Sequence, residues 1–347
     1  MDVDVLRILD VNVNRTREAL RVVEDYARFT LDDAAAASAV KRCRHDLRVV
    51  VAALGADALL TARDIVGDVG RDVKTPTELR RDTMEDVVRA AFARLTESTR
   101  VLGEYGKIVS SEAAAAAEQL RYRVYELEQR VVLRGTRRRR LRDVRLYVLI
   151  TAALCRRPWL ETAAAAIDGG AGCLQLREKG LTDRELLDRA HRLRELTRQR
   201  GVLLAVNDRP DLARLAGADI VHVGQDDLSV REVRHVAGAA VLVGKSTHTP
   251  AQFDAALAEE PDYLAVGPMF ASETKPQAHI AGPETLAAVR SKTDLPLVAI
   301  GGITTANAAR VVAAGATCLA VCADVISADD PAAAAWAILA AAQGATP

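Results

Sequence analysis

The chain has no surplus of either charge. Lysine plus arginine and aspartate plus glutamate number 47 each in 347 residues, so the formal net charge is zero. No global field steers it toward nucleic acid or an anionic membrane, and anion binding has to be local. Cysteine is sparse: Cys43, Cys155, Cys173, Cys318 and Cys322 are scattered, with no C-x-x-C pair among them. An odd count in a long chain argues against a disulfide framework and predicts reduced, buried thiols. No apolar run approaches the ~18 residues of a membrane span. The first residues, MDVDVLRILD, are acidic and lack the basic start of a leader. These absences predict a soluble, cytoplasmic protein without nucleic-acid or membrane partners, and leave a homo-oligomer open. A G-x-G-x-x-G after the first strand is missing too, which speaks against a dinucleotide-binding sheet.

What is present divides in two. Half of the residues are hydrophobic, enough for each of two domains to bury a core. Residues 1–134 read as helix throughout. In NRTREALRVVEDYARFTL, Leu20, Val23 and Ala27 recur at helical spacing while Glu18, Arg21, Asp25 and Arg28 form a charged stripe. Further helices are expected at about 36–54, 77–103 and 110–133, with RDIVGDVGRDVKTPTE as a loop. RGTRRRRLRD, within residues 134–144, reads as a solvated linker, because no aromatic platform accompanies its arginines.

From residue 145 short apolar strands alternate with helices. Strands are expected near 146–151, 172–177, 202–206, 219–223, 241–245, 262–266, 296–300 and 317–321. Eight such pairs in about 200 residues predict a (β/α)8 TIM barrel, making the chain α/β with an all-α N-terminal domain. Functional groups of such a barrel gather at the C-terminal ends of its strands, where polar residues stand in this sequence. In CLQLREKG, the alternation of a strand puts Gln175, Arg177 and Lys179 on one face and Leu174 and Leu176 on the other.

Arg177, Lys179 and Lys275, with Asn207 and Ser246, are donors suited to phosphate oxygens. Asp208 and Asp227 are hard oxygen ligands that fit Mg²⁺ beside a pyrophosphate; without the cations the other reading is a helix N-cap or a salt bridge to a nearby lysine. The Gly301-Gly302 turn and the loop AVCADVI lie where barrels build a phosphate site from backbone N–H groups, predicting a second, monoester phosphate. His222 shares a face with Ile220 and reads as a structural histidine. His248 is open between a structural and a catalytic role. Cys318 and Cys322 read as core thiols.

QLREK, VNDRPDLA, VHVGQDD, GKSTHT, GPMFASETK and AIGGIT, in that order, resemble thiamine-phosphate synthase over residues 145–344. RILDVNVNRTREALRVVEDYARF, ahead of the barrel, resembles the longer form of that family. The resemblance implies condensation of a pyrimidine diphosphate with a thiazole phosphate by a dissociative route, with Mg²⁺ on Asp208 and Asp227. It implies that Arg177, Lys179, Ser246 and Lys275 carry catalysis. Gln175, Leu176, Arg177, Glu178, Lys179, Asn207, Ser246 and Lys275 would contact the pyrimidine diphosphate. Ser272, Glu273, Thr274, Gly302, Cys322 and Ala323 would contact the thiazole phosphate. Two departures stand out: ASETK where the family often has PTxTK, and Cys322-Ala323 where it often has valine or isoleucine, then serine. A thiazole tautomerase and a non-catalytic phosphate-ligand sensor are the alternatives. For the helical region an oligomerisation module and a second ligand-binding domain, with Arg21, Arg42, Arg44 and His45 as its basic residues, both stay open.

Overall fold

The computed structural model describes residues 2–69, 80–271 and 279–344. Two compact units divide the chain, residues 1–136 and 137–347. The first unit is helical. Helix α1 (Val3–Phe29) starts at Asp2, whose side chain accepts from the Asp4 amide, and buries Leu6, Leu9, Val13, Leu20 and Val23 at spacings of three, four and seven. Helices α2 (Ala34–Leu54) and α3 (Ala56–Ala62) pack on it, separated by Gly55 with φ of +86°. Helix α4 (Met84–Val109) covers another side of α1, and Thr16 Oγ1 donates to Ser98 Oγ at 2.7 Å between them.

Two boundaries differ from expectation. Helix α4 begins later than residue 77, because Thr83 and Asp86 form a reciprocal capping box. It also passes Gly103, and at Gly106 the missing side chain lets the backbone approach Ala114. The expected linker is helical as well: α5 runs from Ser111 to Arg142. Arginine is a good helix former, and cations suit a helix C-terminus.

The second unit is a closed parallel barrel. Its strands are β1 (Leu146–Ile150), β2 (Cys173–Leu176), β3 (Leu203–Asn207), β4 (Ile220–Val223), β5 (Leu242–Thr247), β6 (Tyr263–Val266), β7 (Leu297–Ile300) and β8 (Cys318–Val321). All overlap the expected strands, and they pair in sequence order with β8 closing on β1. Around them lie α6 (Trp159–Asp168), α7 (Asp183–Arg200), α8 (Pro210–Ala216), α9 (Val230–Ala237), α10 (Pro250–Ala258), α11 (Gly282–Arg290), α12 (Ala308–Ala313), α13 (Ala323–Ile326) and α14 (Pro331–Gln343).

The period-2 alternation of each strand separates two cores. Leu146, Val148, Ile150, Leu174 and Leu176 pack outward against the helices. Tyr147, Cys173, Ala205, Ile220, Tyr263 and Cys318 fill the barrel. At its floor, where strands begin, Asp219 and Asp262 are buried among arginines. Asp262 accepts from Arg137 Nε at 2.7 Å, Arg234 Nη2 at 2.9 Å and the Val243 amide at 2.8 Å. Asp219 takes Arg140, Arg194 at 2.7 Å and the Leu204 amide at 2.9 Å. The arginine run is therefore not solvated throughout: Arg137 is 8% exposed, and it and Arg140 pair with the floor carboxylates.

Candidate active site

The opposite end of the barrel opens into a cavity of about 290 Å³. Strand β2 delivers Gln175, then Arg177, whose amide donates to the Ile150 carbonyl at 3.0 Å, and Lys179 follows in the loop. Neither cation is ion-paired with a carboxylate among the described residues. Strand β3 ends at Asn207, and Asp208 takes the left-handed φ of +60°, uncommon outside glycine. The Asp208 amide is tied to the His222 carbonyl at 2.9 Å, which holds that turn.

Asp227, from the loop after β4, faces Asp208 and accepts from the Gly224 amide at 2.7 Å. Burial, then the charge and hydrogen bond of Asp227, push the Asp208 carboxyl up to about 6, while Arg177 and Lys179 pull the other way. Two carboxylates held together form a site where a cation replaces repulsion with attraction. Among the described residues no three His, Cys, Asp or Glu side chains form a full cage. Mg²⁺ fits such a pair, since it takes one or two carboxylates and completes its shell with substrate oxygens and water.

Strand β5 brings Ser246 to the cavity, and its carbonyl accepts from Gln225 Nε2. His248 also lines the cavity, and its Nδ1 donates to the Gly267 carbonyl, which fixes the ring's orientation. His222 lies inside the barrel between Tyr263 and Ser246, and burial pushes its imidazole down to about 4. Across the cavity, Gly301 and Gly302 have φ of +98° and +65°; a side chain on Gly302 would strike the Ala271 carbonyl and Phe270. Beside them stand Cys322, its thiol pushed up to about 11 by burial, and Ala323.

The structure thus gathers Gln175, Arg177, Lys179, Asn207, Asp208, Asp227, Ser246, Gly302, Cys322 and Ala323 around one cavity. It does not bring Leu176 or Glu178 there. Leu176 points outward into the apolar layer under the helices. The Glu178 carboxylate accepts from the Ala152 amide at 2.9 Å and pairs with Arg189. Both follow from alternation: next to an inward residue comes an outward one. Ser272, Glu273, Thr274 and Lys275 lie outside the described residues. Asp324 was missed. It lines the cavity one turn past β8, its carboxyl raised by burial, and its position in AVCADVI was the available signal.

Residues 146–325 match the sequence profile of the family described as Thiamine monophosphate synthase. A thiamine-phosphate synthase of Gloeobacter violaceus is 42% identical over 327 residues, 94% of each chain. The chain belongs to the thiamine-phosphate synthase family. A second family member, from Thermosynechococcus vestitus, is 41% identical over 94% of this chain and 91% of its own. Both alignments span the helical unit as well as the barrel, and residues 7–130 match a profile of their own, the ThiD2 family. Among solved structures, the thiamine phosphate pyrophosphorylase of Pyrococcus furiosus superposes with a TM-score of 0.55 at 30% identity, covering 59% of this chain and 98% of that one.

Proposed function

We propose that the barrel joins 4-amino-2-methyl-5-(diphosphooxymethyl)pyrimidine to methyl-hydroxyethyl-thiazole phosphate, giving thiamine phosphate and pyrophosphate. The observation that carries this reading is the meeting of two cations, Arg177 and Lys179, with the Asp208–Asp227 pair on one cavity. The bond from the pyrimidine methylene carbon to the diphosphate oxygen breaks, and its electron pair leaves with pyrophosphate. The thiazole nitrogen lone pair then forms the new carbon–nitrogen bond. No covalent nucleophile from the protein is required.

The chain supplies charge stabilisation and alignment. Arg177 and Lys179 face the charge growing on the leaving group, and preorganised donors of this kind are commonly worth a few kcal/mol each. Lys275 is assigned the same task. Gln175 holds the pyrimidine ring, Asn207 and Ser246 donate to the diphosphate arm, and backbone N–H groups near Gly302 and Ala323 receive the thiazole phosphate. Mg²⁺ on Asp208 and Asp227 would offset the negative charge of the diphosphate. All five cysteines are free thiols and no described helix is long and apolar enough to cross a membrane. We place the reaction in the cytoplasm on that basis.

The test is pyrophosphate release by the full chain given both substrates, with and without Mg²⁺. Equimolar pyrophosphate and thiamine phosphate are expected, with activity lost in excess EDTA and steeply reduced in Lys275→Ala. Thiazole isomerisation without pyrophosphate would favour a tautomerase, and tight binding without turnover a sensor. Full activity in EDTA would refute the metal assignment.

A further inference from the structure

A line of hydrogen bonds crosses the barrel interior and has both ends on the cavity. Gln175 Nε2 donates to Tyr147 Oη at 2.9 Å, and the Tyr147 and Tyr263 hydroxyls lie 3.2 Å apart. Tyr263 Oη is 2.9 Å from His222 Nδ1, and His222 Nε2 is 2.8 Å from Ser246 Oγ. The five side chains come from five strands, β2, β1, β6, β4 and β5. Tyr147 and Tyr263 are 3% and 1% exposed and neither lines the cavity. Gly244, paired with both His222 and Tyr263, leaves the space that the Tyr263 ring fills; a side chain there would overlap the ring. The Tyr263 and His222 rings stack at 5.6 Å.

Each hydroxyl has one proton, so the first donor sets the direction of the rest. A glutamine N–H can only donate, so Tyr147 accepts from Gln175 and turns its own proton to Tyr263. Tyr263 in turn donates to His222 Nδ1. The neutral imidazole then has its proton on Nε2 and donates to Ser246 Oγ, whose own proton is left for the cavity. In the reverse order the Tyr147 proton would fall to a weak acceptor, the sulfur of neighbouring Cys173. Buried polar networks are stabilising only when each member is satisfied, and this direction alone gives every proton along the line an oxygen or nitrogen acceptor.

We propose that Tyr147, Tyr263 and His222 are positioning residues that lock Gln175 and Ser246 in one register and make the Ser246 hydroxyl a hydrogen-bond donor to the diphosphopyrimidine. This rests on the synthase reading given above. The experiment is a double-mutant cycle on the full chain, following pyrophosphate release in wild type, Tyr263→Phe, Ser246→Ala and the double variant, with a thermal melt of each. Tyr263→Phe keeps the ring and removes the hydroxyl. It is expected to lower kcat on the order of tenfold to a hundredfold while KM for the thiazole phosphate stays unchanged. In the Ser246→Ala background the same change is expected to cost about twofold or less, because the hydroxyl it orients is gone.

Losses that multiply independently would overturn the proposal, since a purely structural role of Tyr263 is indifferent to Ser246. Tyr147→Phe, one link nearer Gln175, gives the same reading if Tyr263→Phe fails to fold, and independent losses there overturn it equally. No pyrophosphate from the wild-type chain would overturn the synthase reading and this inference with it. Activity in the wild type with additive losses would overturn this inference alone.

Discussion

At the floor of the barrel Asp219 and Asp262 are each 6–7% exposed and each meet two arginines. At the mouth Asp208 faces Asp227 instead, and Arg177 and Lys179 have no carboxylate in ion-pair range among the described residues. The same residue types are used at both ends, and the pairing differs. A floor carboxylate has its charge met from within the chain by two arginines, although such pairs add stability only when geometry and further hydrogen bonds offset desolvation. The mouth charges are held apart by sign and left incomplete, the condition expected of groups whose partners arrive with the substrate.

If that contrast is right, the two ends fail in different ways. The largest effect is expected at the mouth: Arg177→Ala lowers kcat on the order of 10²- to 10³-fold, the scale for losing one preorganised donor. Its unfolding midpoint should stay near wild type, because no internal ion pair is broken. Steady-state kinetics and a thermal melt on one preparation check both. A melt lowered as far as in the floor variant would remove the distinction.

The floor variant Asp262→Ala is expected to destabilise the barrel by roughly 3–5 kcal/mol, because Arg137 and Arg234 are left without their buried counter-charge. Urea unfolding reads this. At temperatures where the variant is folded its turnover should remain close to wild type, so a large kcat loss in a folded Asp262→Ala would contradict the division.

The mouth was legible in the sequence and most of the floor was not, for a physical reason. Gln175, Arg177 and Lys179 are two residues apart in one strand, so local alternation alone puts them together. The same alternation turns the side chains of Leu176 and Glu178 away from the cavity. The arginines of 137–140 find their carboxylates 125 and 79 residues away, a pairing that exists only once the barrel has closed. Tyr263 meets His222 across 41 residues and Tyr147 across 116 for the same reason. Periodicity shows which face a residue takes, and register among eight strands decides whom it meets there.

The smallest effect expected concerns protons, and it sets Asp208 at the mouth against His222 inside. Asp208 is raised from an ordinary 3.8 to about 6, so between those values the native chain keeps a proton that the unfolded chain has released. Native stability therefore falls as pH rises through that window, and the deficit persists above it. His222 is lowered from 6.5 to about 4, so between those values the unfolded chain binds a proton that the native chain refuses. Native stability falls as pH drops through that window, the opposite slope over nearly the same range. In the wild type the two oppose each other, and single variants unmask them. The midpoint of Asp208→Asn relative to wild type should grow more favourable from pH 4 to 6, and that of His222→Gln more favourable from pH 6.5 to 4. Melts of the three chains across pH 4 to 7 measure both slopes. A pH-independent difference for either variant would show that its group has the same proton affinity folded and unfolded. For Asp208, that would remove the uncompensated negative charge on which the contrast between mouth and floor depends.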